Sequence, residues 1–182
     1  METALIDLAA EGFEVSADRI TYSQGDTDVM EKGGGMGGSG AMIKGGSALK
    51  GAVETILADA KALAGEELEA DVADIEYAEG VFRIAGTDRE ITLDQVAKVA
   101  GEKGIPLKAD GEFSPEAPTF PNGCHICEVE LDPETGRFDI VGYAAVEDIG
   151  RVLQPQMAEG QIQGGVAQAL GQIFLEEMKY GE

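Results

Sequence analysis

Clustered glycines are the first feature of this sequence that could bind a ligand. The chain has 26 glycines in 182 residues, about twice the average usage, and residues 33–40 carry almost no side chains. A helical spacing of apolar residues follows, so bare N–H groups would lie at the positive end of a helix dipole, where phosphate or another anion binds. The P-loop and dinucleotide patterns are absent. The spacing fits both an anion cradle and a flexible solvent-exposed loop.

A second glycine cluster lies in a predicted helix over residues 157–178. One stripe of this helix is apolar, and the other carries only small or amide-bearing residues, namely Gln161, Gly164, Gly165, Gln168, Gly171 and Gln172. A carboxamide such as that of Gln168 can hold a ligand, because it both donates and accepts hydrogen bonds. A stripe of small residues is equally typical of a contact between two helices. Both interpretations stay open.

The string Cys124-His125-Ile126-Cys127 resembles a zinc-binding motif, but its chemistry is incomplete. On a strand, Cys124 faces one way while His125 and Cys127 face the other. The chain has two cysteines and one histidine, whereas a structural zinc site needs four ligands. His125 is also the only candidate for a Ser-His-Asp triad, and no nucleophile elbow is present. We therefore predict neither a metal site nor a catalytic residue.

The elements that would position these residues follow from periodicity and turn signals. In the first part of the chain the pattern predicts a helix over residues 3–10 stopped by Gly12, a strand over 18–23, a helix over 39–64, a hairpin of 74–77 with 81–84, and a helix opened by a capping box at Thr92–Gln95. Three prolines make residues 111–122 a loop or linker.

The clearest hairpin joins residues 124–131 and 137–146 through a turn at 132–136, before the final helix. Strands and helices alternate irregularly, which favours an α+β fold of mixed sheets packed with helices over a doubly wound sheet. The length suits one domain, which can divide into lobes at residues 1–110 and 111–182.

Charge and hydropathy restrict the partners. The formal net charge is −22, and the acids are spread along the whole chain. Such a surface repels phosphate backbones and anionic lipids, which argues against nucleic acid or membrane partners. No apolar run reaches the roughly 20 residues of a membrane span, and Glu2 stands where a secretory signal would carry a base. We expect a cytoplasmic protein.

Several longer motifs carry a family resemblance. They are QGDTD at residues 24–28, GMGGS at 35–39, FPNGCH at 120–125, EVELDPETG at 128–136, VEDIGRVLQP at 146–155 and EGQIQGGVAQALG at 159–171. In this order they resemble the "GDTD … GTGGSRS", strand–turn–strand, "VDDCGRVINP" and "EGQIHGGIAQGIG" patterns of the molybdenum-cofactor-binding large subunit of the xanthine dehydrogenase, aldehyde oxidase and carbon monoxide dehydrogenase family. The resemblance covers nearly the whole chain.

That family hydroxylates aldehydes, N-heterocycles or carbon monoxide with a molybdenum–pterin cofactor, and passes electrons to iron–sulfur and FAD subunits or domains. The resemblance therefore implies part of a two-lobed domain that binds molybdopterin, as a cytosine dinucleotide. It implies that Gly37, Gly38 and Ser39 lie close to the cofactor and that Gln168 binds it through its amide. The nucleotide end would be held by Gln24, Asp26 and Thr27, and by the stretch that contains Asp148 and Gly150.

The departures from the family pattern bear on cofactor binding. Met36 replaces the threonine of the loop, and Gly40 and Ala41 replace its arginine and second serine. Gln163 replaces the histidine of "QIHGG", and Gln154 replaces the asparagine before the proline. The loss of two polar side chains weakens the grip of the loop, although backbone donors remain.

The family's catalytic glutamate lies in a Gly-Glu motif well beyond the final helix, and the terminal Gly181-Glu182 comes too soon to be that motif. We expect a fragment of a longer molybdenum-dependent oxidoreductase that alone is inactive and holds no cofactor. The alternative is a non-catalytic binding or accessory protein that retains the fold. If the resemblance holds, the loop at Gly37–Ser39 and Gln168 should border one concavity.

Overall fold

The computed structural model describes residues 1–29, 33, 35 and 37–181. Two compact units divide the chain, Met1–Glu116 and Ala117–Glu182. The predicted lobes divide at 110/111, a few residues before this boundary. Within the described ranges, no helix combines the length and the hydropathy that a membrane crossing requires.

The first unit contains three α-helices and one small sheet. Helix α1 is Glu2–Phe13, α2 is Ser47–Glu67 and α3 is Leu93–Lys103, and the strands are β1 (Ile75–Ala78), β2 (Val81–Ile84) and β3 (Glu90–Thr92). A π-helical turn, Ala41–Gly46, leads into α2, and 3-10 turns lie at Ala17–Arg19 and Val72–Asp74. The second unit contains β4 (Asn122–Leu131), β5 (Phe138–Asp148) and α4 (Pro155–Phe174). This mixture confirms the predicted α+β class.

The hydrophobic core of the first unit lies between the sheet and helices α2 and α3. The strands pair antiparallel in the order β1-β2-β3, so alternate side chains face the helices. Phe82 on β2 is fully buried. The cluster around it consists of Ala60, Leu63, Ala64, Leu68, Ile75, Val96 and Ala100. The hairpin predicted at residues 74–77 and 81–84 is confirmed, while the short strand β3 had no sequence signal.

The start of α3 confirms the capping box. The Thr92 hydroxyl accepts a hydrogen bond from the Gln95 N–H at 3.2 Å, and the Gln95 amide oxygen accepts one from the Thr92 N–H at 2.8 Å. Two N–H groups that the helix would leave unpaired are thereby satisfied. The helix ends at Lys103, and the next residue, Gly104, has a φ of 70° that suits glycine. Local chemistry alone fixes both ends of this helix.

The predicted strand at residues 18–23 is wrong. Residues 17–19 form a 3-10 turn, and the following residues are extended but belong to no sheet among the described residues. The alternation behind the prediction is present, because Ile20 and Tyr22 are half-buried while Thr21 and Ser23 are exposed. A strand also needs a hydrogen-bonded neighbour, and the sequence pattern of one segment cannot supply it.

Three helix limits also differ from the sequence expectation. Helix α1 continues past Gly12 and ends at Phe13. Gly12 lies inside the helix because α1 approaches Val53 of α2 there. A Cβ added at Gly12 would lie 3.0 Å from Val53 Cγ1. The helix predicted from residue 39 begins as a π-helical turn at Ala41. Helix α4 ends at Phe174 rather than at residue 178. The side chains beyond it, such as Leu175 and Met178, are exposed and find no packing that would hold another turn.

The second unit is a long hairpin followed by one helix. Strands β4 and β5 pair antiparallel from Asn122↔Asp148 to Leu131↔Phe138, with a register shift between Glu128 and Val129. The rings of Phe138 and Phe174 lie 4.9 Å apart and connect the hairpin to α4. No described residue of this unit is buried, so the buried core residues all belong to the first unit.

Candidate functional site

The glycine loop presents open backbone where it enters the helix. A Cβ added at Gly37 or at Gly38 would meet no atom of the described residues within 4 Å. The Gly40 N–H donates to the Gly37 carbonyl at 3.4 Å, and the Lys44 N–H donates to the Gly40 carbonyl at 2.8 Å. Among the described residues no side chain caps the π-helical turn, so the first N–H groups of the helix depend on water or a ligand for acceptors.

The backbone of this loop is unusual at Ser39. Gly38 has a φ of 64° and Ser39 a φ of 54°, and a positive φ is uncommon for a residue other than glycine. Gly40 then returns to the right-handed helical region. Such turns direct successive N–H groups toward one side, where an anion can bind. Two positions of the predicted loop, Gly34 and Met36, lie outside the described residues.

Lys44 is a residue of this region that the sequence analysis missed. Its Cε and Cδ would lie 3.4 Å and 3.6 Å from a Cβ at Gly40, so its side chain runs against that glycine. Lys44 follows Gly40 by four residues, one helical turn. The family pattern has an arginine at position 40. The lysine brings a positive charge to the same loop, and the helical spacing from Gly40 was the signal that could have identified it.

The turn that contains Gln24, Asp26 and Thr27 is held together by its own polar groups. The Tyr22 hydroxyl donates to Gln24 Oε1 at 2.6 Å, and Asp26 Oδ1 accepts the Asp28 N–H at 2.9 Å. Gly25 has a φ of 77°. Asp26 therefore shapes the turn, while Gln24 keeps its amide donors and the exposed Thr27 its hydroxyl.

A cavity of about 190 Å³ lies beside this region of the first unit. Its lining is largely apolar, formed by Leu5, Ile6, Ala9, Ile20, Thr21, Tyr22, Gly45 and Leu49. An apolar lining does not compensate the desolvation of an anionic group. The cavity is therefore distinct from the anion site that the loop could form.

In the second unit, Asp148 and Gly150 form one small turn at the end of β5. Asp148 Oδ1 accepts the Gly150 N–H at 3.1 Å. Gly150 has a φ of 75°, with no atom within 4 Å of an added Cβ. The turn therefore needs glycine for its conformation, and its backbone is open to approach.

Gln168 lies in the middle of α4 and is exposed. A Cβ added at Gly164, Gly165 or Gly171 would meet nothing within 4 Å. The helix backbone beside Gln168 is therefore open at these glycines, and a ligand could approach it there.

The Cys-His-Cys string occupies β4 in the orientation that strand geometry predicts. His125 pairs in register with Ala145, and Cys127 with Tyr143, on one face of the hairpin. Nδ1 of His125 lies 2.8 Å from the Tyr143 hydroxyl, and Nε2 contacts the Glu147 carboxylate. Both cysteines are free thiols. In the part of the chain that the structure covers, no three His, Cys, Asp or Glu side chains form a metal-binding group.

The predicted site residues thus fall into two sets. Gln24, Asp26 and Thr27 share one turn of the first unit, which also holds the loop of Gly37, Gly38 and Ser39. The second unit holds the turn of Asp148 and Gly150, and Gln168 on α4. Whether the two sets border one concavity stays a prediction.

Comparison with known proteins gives these features a context. The chain is 32% identical over its full length to the 6-hydroxypseudooxynicotine dehydrogenase complex subunit gamma of Paenarthrobacter nicotinovorans, covering 24% of that protein. It is 28% identical, again over its full length, to 23% of the carbon monoxide dehydrogenase large chain of Afipia carboxidovorans. The chain thus spans about a quarter of the length of these relatives.

Solved structures agree with the sequence relatives. The crystal structure of the Cu,Mo-CO dehydrogenase in its carbon monoxide reduced state matches 99% of this chain with a TM-score of 0.87 and 27% identity, and the match covers 23% of that protein's chain. The molybdopterin cofactor-binding domain family matches residues 1–182. The chain therefore belongs to the molybdopterin cofactor-binding domain of the family that includes carbon monoxide dehydrogenase large chains, xanthine dehydrogenases and aldehyde oxidases.

Proposed function

We propose that this chain is the part of a molybdenum hydroxylase large subunit that holds molybdopterin in its cytosine dinucleotide form. The whole protein would hydroxylate an aldehyde, an N-heterocycle or a similar small substrate. The observation that carries the proposal is the open backbone at Gly37 and Gly38, which precedes a helix start that no described side chain caps, in a chain that matches a molybdopterin-binding domain over residues 1–182.

The chemistry of the loop fits the pyrophosphate of such a cofactor. Bare N–H groups at a helix start bind phosphate oxygens, and the helix dipole favours their negative charge. Lys44 adds a cation from the next turn, where the family pattern places an arginine at residue 40. A lysine binds phosphate as a point charge and lacks the paired donors of arginine. The altered side chains of the loop are therefore compatible with an anionic cofactor.

The remaining site residues would hold the other parts of the cofactor. Gln168 would bind the pterin through its amide, which can donate and accept at the same time. The turns at Gln24–Thr27 and Asp148–Gly150 would hold the nucleotide end through amide, hydroxyl and backbone N–H groups. When bound, the molybdenum centre supplies oxidation–reduction chemistry that takes oxygen from water, while this chain binds and orients the cofactor.

The proposed partners are iron–sulfur and FAD subunits or domains, which would carry electrons away from the molybdenum centre. The names of two relatives describe them as a complex subunit and a large chain. The absence of a span among the described helices and the net charge of −22 are compatible with a cytoplasmic complex without nucleic acid partners.

Cofactor analysis of the protein from its longest reading frame tests the proposal. We expect near-stoichiometric molybdenum by elemental analysis and cytidine monophosphate after acid hydrolysis. Lys44→Glu should reduce the molybdenum content at least severalfold by placing an acid beside the phosphates, whereas Lys108→Glu, at an exposed position outside the loop, should leave it unchanged. A folded protein without molybdopterin contradicts the proposal, and adenosine or guanosine monophosphate contradicts the cytosine form.

The second candidate function is a binding or accessory protein without catalysis. It is favoured by Gly40 and Ala41, which stand where the family pattern has polar side chains. A protein that contains the cofactor but oxidises none of aldehydes, N-heterocycles and carbon monoxide, with a dye as electron acceptor, would support it. Turnover of any of these substrates would exclude it.

A further inference from the structure

A row of polar groups crosses one face of the β4–β5 hairpin next to the Asp148–Gly150 turn. His125 lies opposite Ala145 in the register, so its larger neighbours on β5 are the diagonal residues Tyr143 and Glu147. The imidazole contacts both, with Nδ1 at 2.8 Å from the Tyr143 hydroxyl and Nε2 against the Glu147 carboxylate. The only histidine of the chain thus connects two positions of the same strand.

Both ring nitrogens have a partner in either protonation state of the ring. When neutral, His125 donates from Nε2 to Glu147 and accepts the Tyr143 hydroxyl proton at Nδ1. When protonated, both ring nitrogens donate, and the bond to Glu147 becomes an ion pair. The Glu147 side chain is 20% exposed. In either state the carboxylate keeps this partner, but the bond is stronger when the ring is protonated.

Gly123 explains how Glu147 reaches the ring. These two residues pair in register, and a Cβ at Gly123 would lie 2.2 Å from Glu147 Oε2. The carboxylate therefore lies flat across β4 in space that any other residue would fill. One packed arrangement at the open end of the hairpin therefore contains Gly123 and His125 on β4 and Glu147 on β5.

We propose that His125 is a positioning residue: through Glu147 it fixes the end of β5, and so sets the conformation of the Asp148–Gly150 turn. Glu147 immediately precedes Asp148, whose carboxylate accepts the Gly150 N–H at 3.1 Å. Side chains alternate along a strand, so fixing Glu147 on one face orients Asp148 on the other. Only the statement that this turn meets the nucleotide end of the cofactor rests on the proposed function.

Nuclear magnetic resonance of the 182-residue chain tests the proposal without cofactor. The titratable groups that share the face with the ring are Tyr143 and Glu147 on β5 and Cys127 on β4. As pH falls and the ring protonates, its bond to Glu147 changes, and the Gly150 amide shift should follow with the midpoint of the His125 ring nitrogens. A Gly150 shift that stays flat while the ring titrates in the folded chain overturns the proposal.

Two variants separate the effect of the His125 ring on Gly150 from the effect of protonating Asp148 itself. His125→Gln keeps one donor for Glu147, so the chemical shift of the Gly150 amide should remain close to that of the parent chain. Its pH dependence should no longer show a transition at the midpoint of the His125 ring. Cys127→Ala, on the same strand and face, should retain the full coupling. A histidine midpoint that persists at Gly150 in His125→Gln contradicts the proposal. Because the measurement needs no molybdopterin, its failure is distinct from failure of the proposed function.

Discussion

The hydroxyl of Tyr77 donates a hydrogen bond to the carbonyl oxygen of Phe13, so the first strand of the sheet is tied to the last residue of α1. The Tyr77 ring also lies 4.6 Å from that of the buried Phe82. Burial raises the pKa of the Tyr77 phenol to about 12, the Glu14 carboxylate contributes to the rise, and Arg19 opposes it.

This raised pKa predicts a loss of stability in alkali. The folded state retains the phenol proton between pH 10 and about pH 12, while the unfolded chain has released it, so the free energy of unfolding falls as pH rises through this window. We expect a loss on the order of 1 kcal/mol, because the phenol is partly solvated. Urea unfolding at pH 9 and pH 11.5 measures it. The decline should be smaller in Tyr77→Phe, and an equal decline in both chains would contradict the assignment.

Phe82 should be the most costly core side chain to truncate. It is 0% exposed and lies in the cluster formed by α2, α3 and the sheet. We expect Phe82→Ala to reduce the free energy of unfolding by about 3–5 kcal/mol, since truncation of a buried aromatic leaves a cavity. Val29, which is 75% exposed, gives the control: Val29→Ala should change stability by no more than about 0.5 kcal/mol. Similar values for the two variants would refute the core assignment.

The Thr92 cap should contribute measurably to the first unit. Thr92→Ala removes the oxygen that accepts the Gln95 N–H, and the loss of such a cap costs about 1 kcal/mol. Thr92→Ser keeps the oxygen and should recover most of this stability. Thermal unfolding followed by circular dichroism compares the three chains. A serine variant as unstable as the alanine variant would show that the hydroxyl is not what matters.

The turn of the long hairpin should hold Asp132 in its charged form. The Thr135 hydroxyl, and then the Glu134 N–H, donate to this carboxylate and lower its pKa below the usual value. Thr135→Val should therefore raise the pKa of Asp132, while Thr135→Ser should leave it low. Carbon resonances of the Asp132 side chain, followed over acid pH, measure the change. A lowered pKa contributes stability above the unfolded value and loses it as pH falls, so the valine variant should show a weaker acid dependence.

Features that depend on neighbours in sequence were predictable. The capping box at Thr92 and Gln95 closes within one helical turn, and the turn after Asp132 is formed by residues that are adjacent in the chain. Strand alternation alone predicted that His125 and Cys127 lie on the same face of the hairpin. The family motifs predicted the domain for a related reason, since they record contiguous segments such as residues 159–171.

Features that depend on partners distant in sequence were decided only by the tertiary structure. Residues 18–23 have the alternation of a strand, but the fold gives them no hydrogen-bonded strand partner among the described residues. Gly12 has the signal of a helix stop, yet contact with Val53 of α2 makes it an interior position. The contact of His125 with Glu147 required the register of two strands. Periodicity reports which face of an element is apolar, whereas pairing depends on long-range packing that local patterns do not encode.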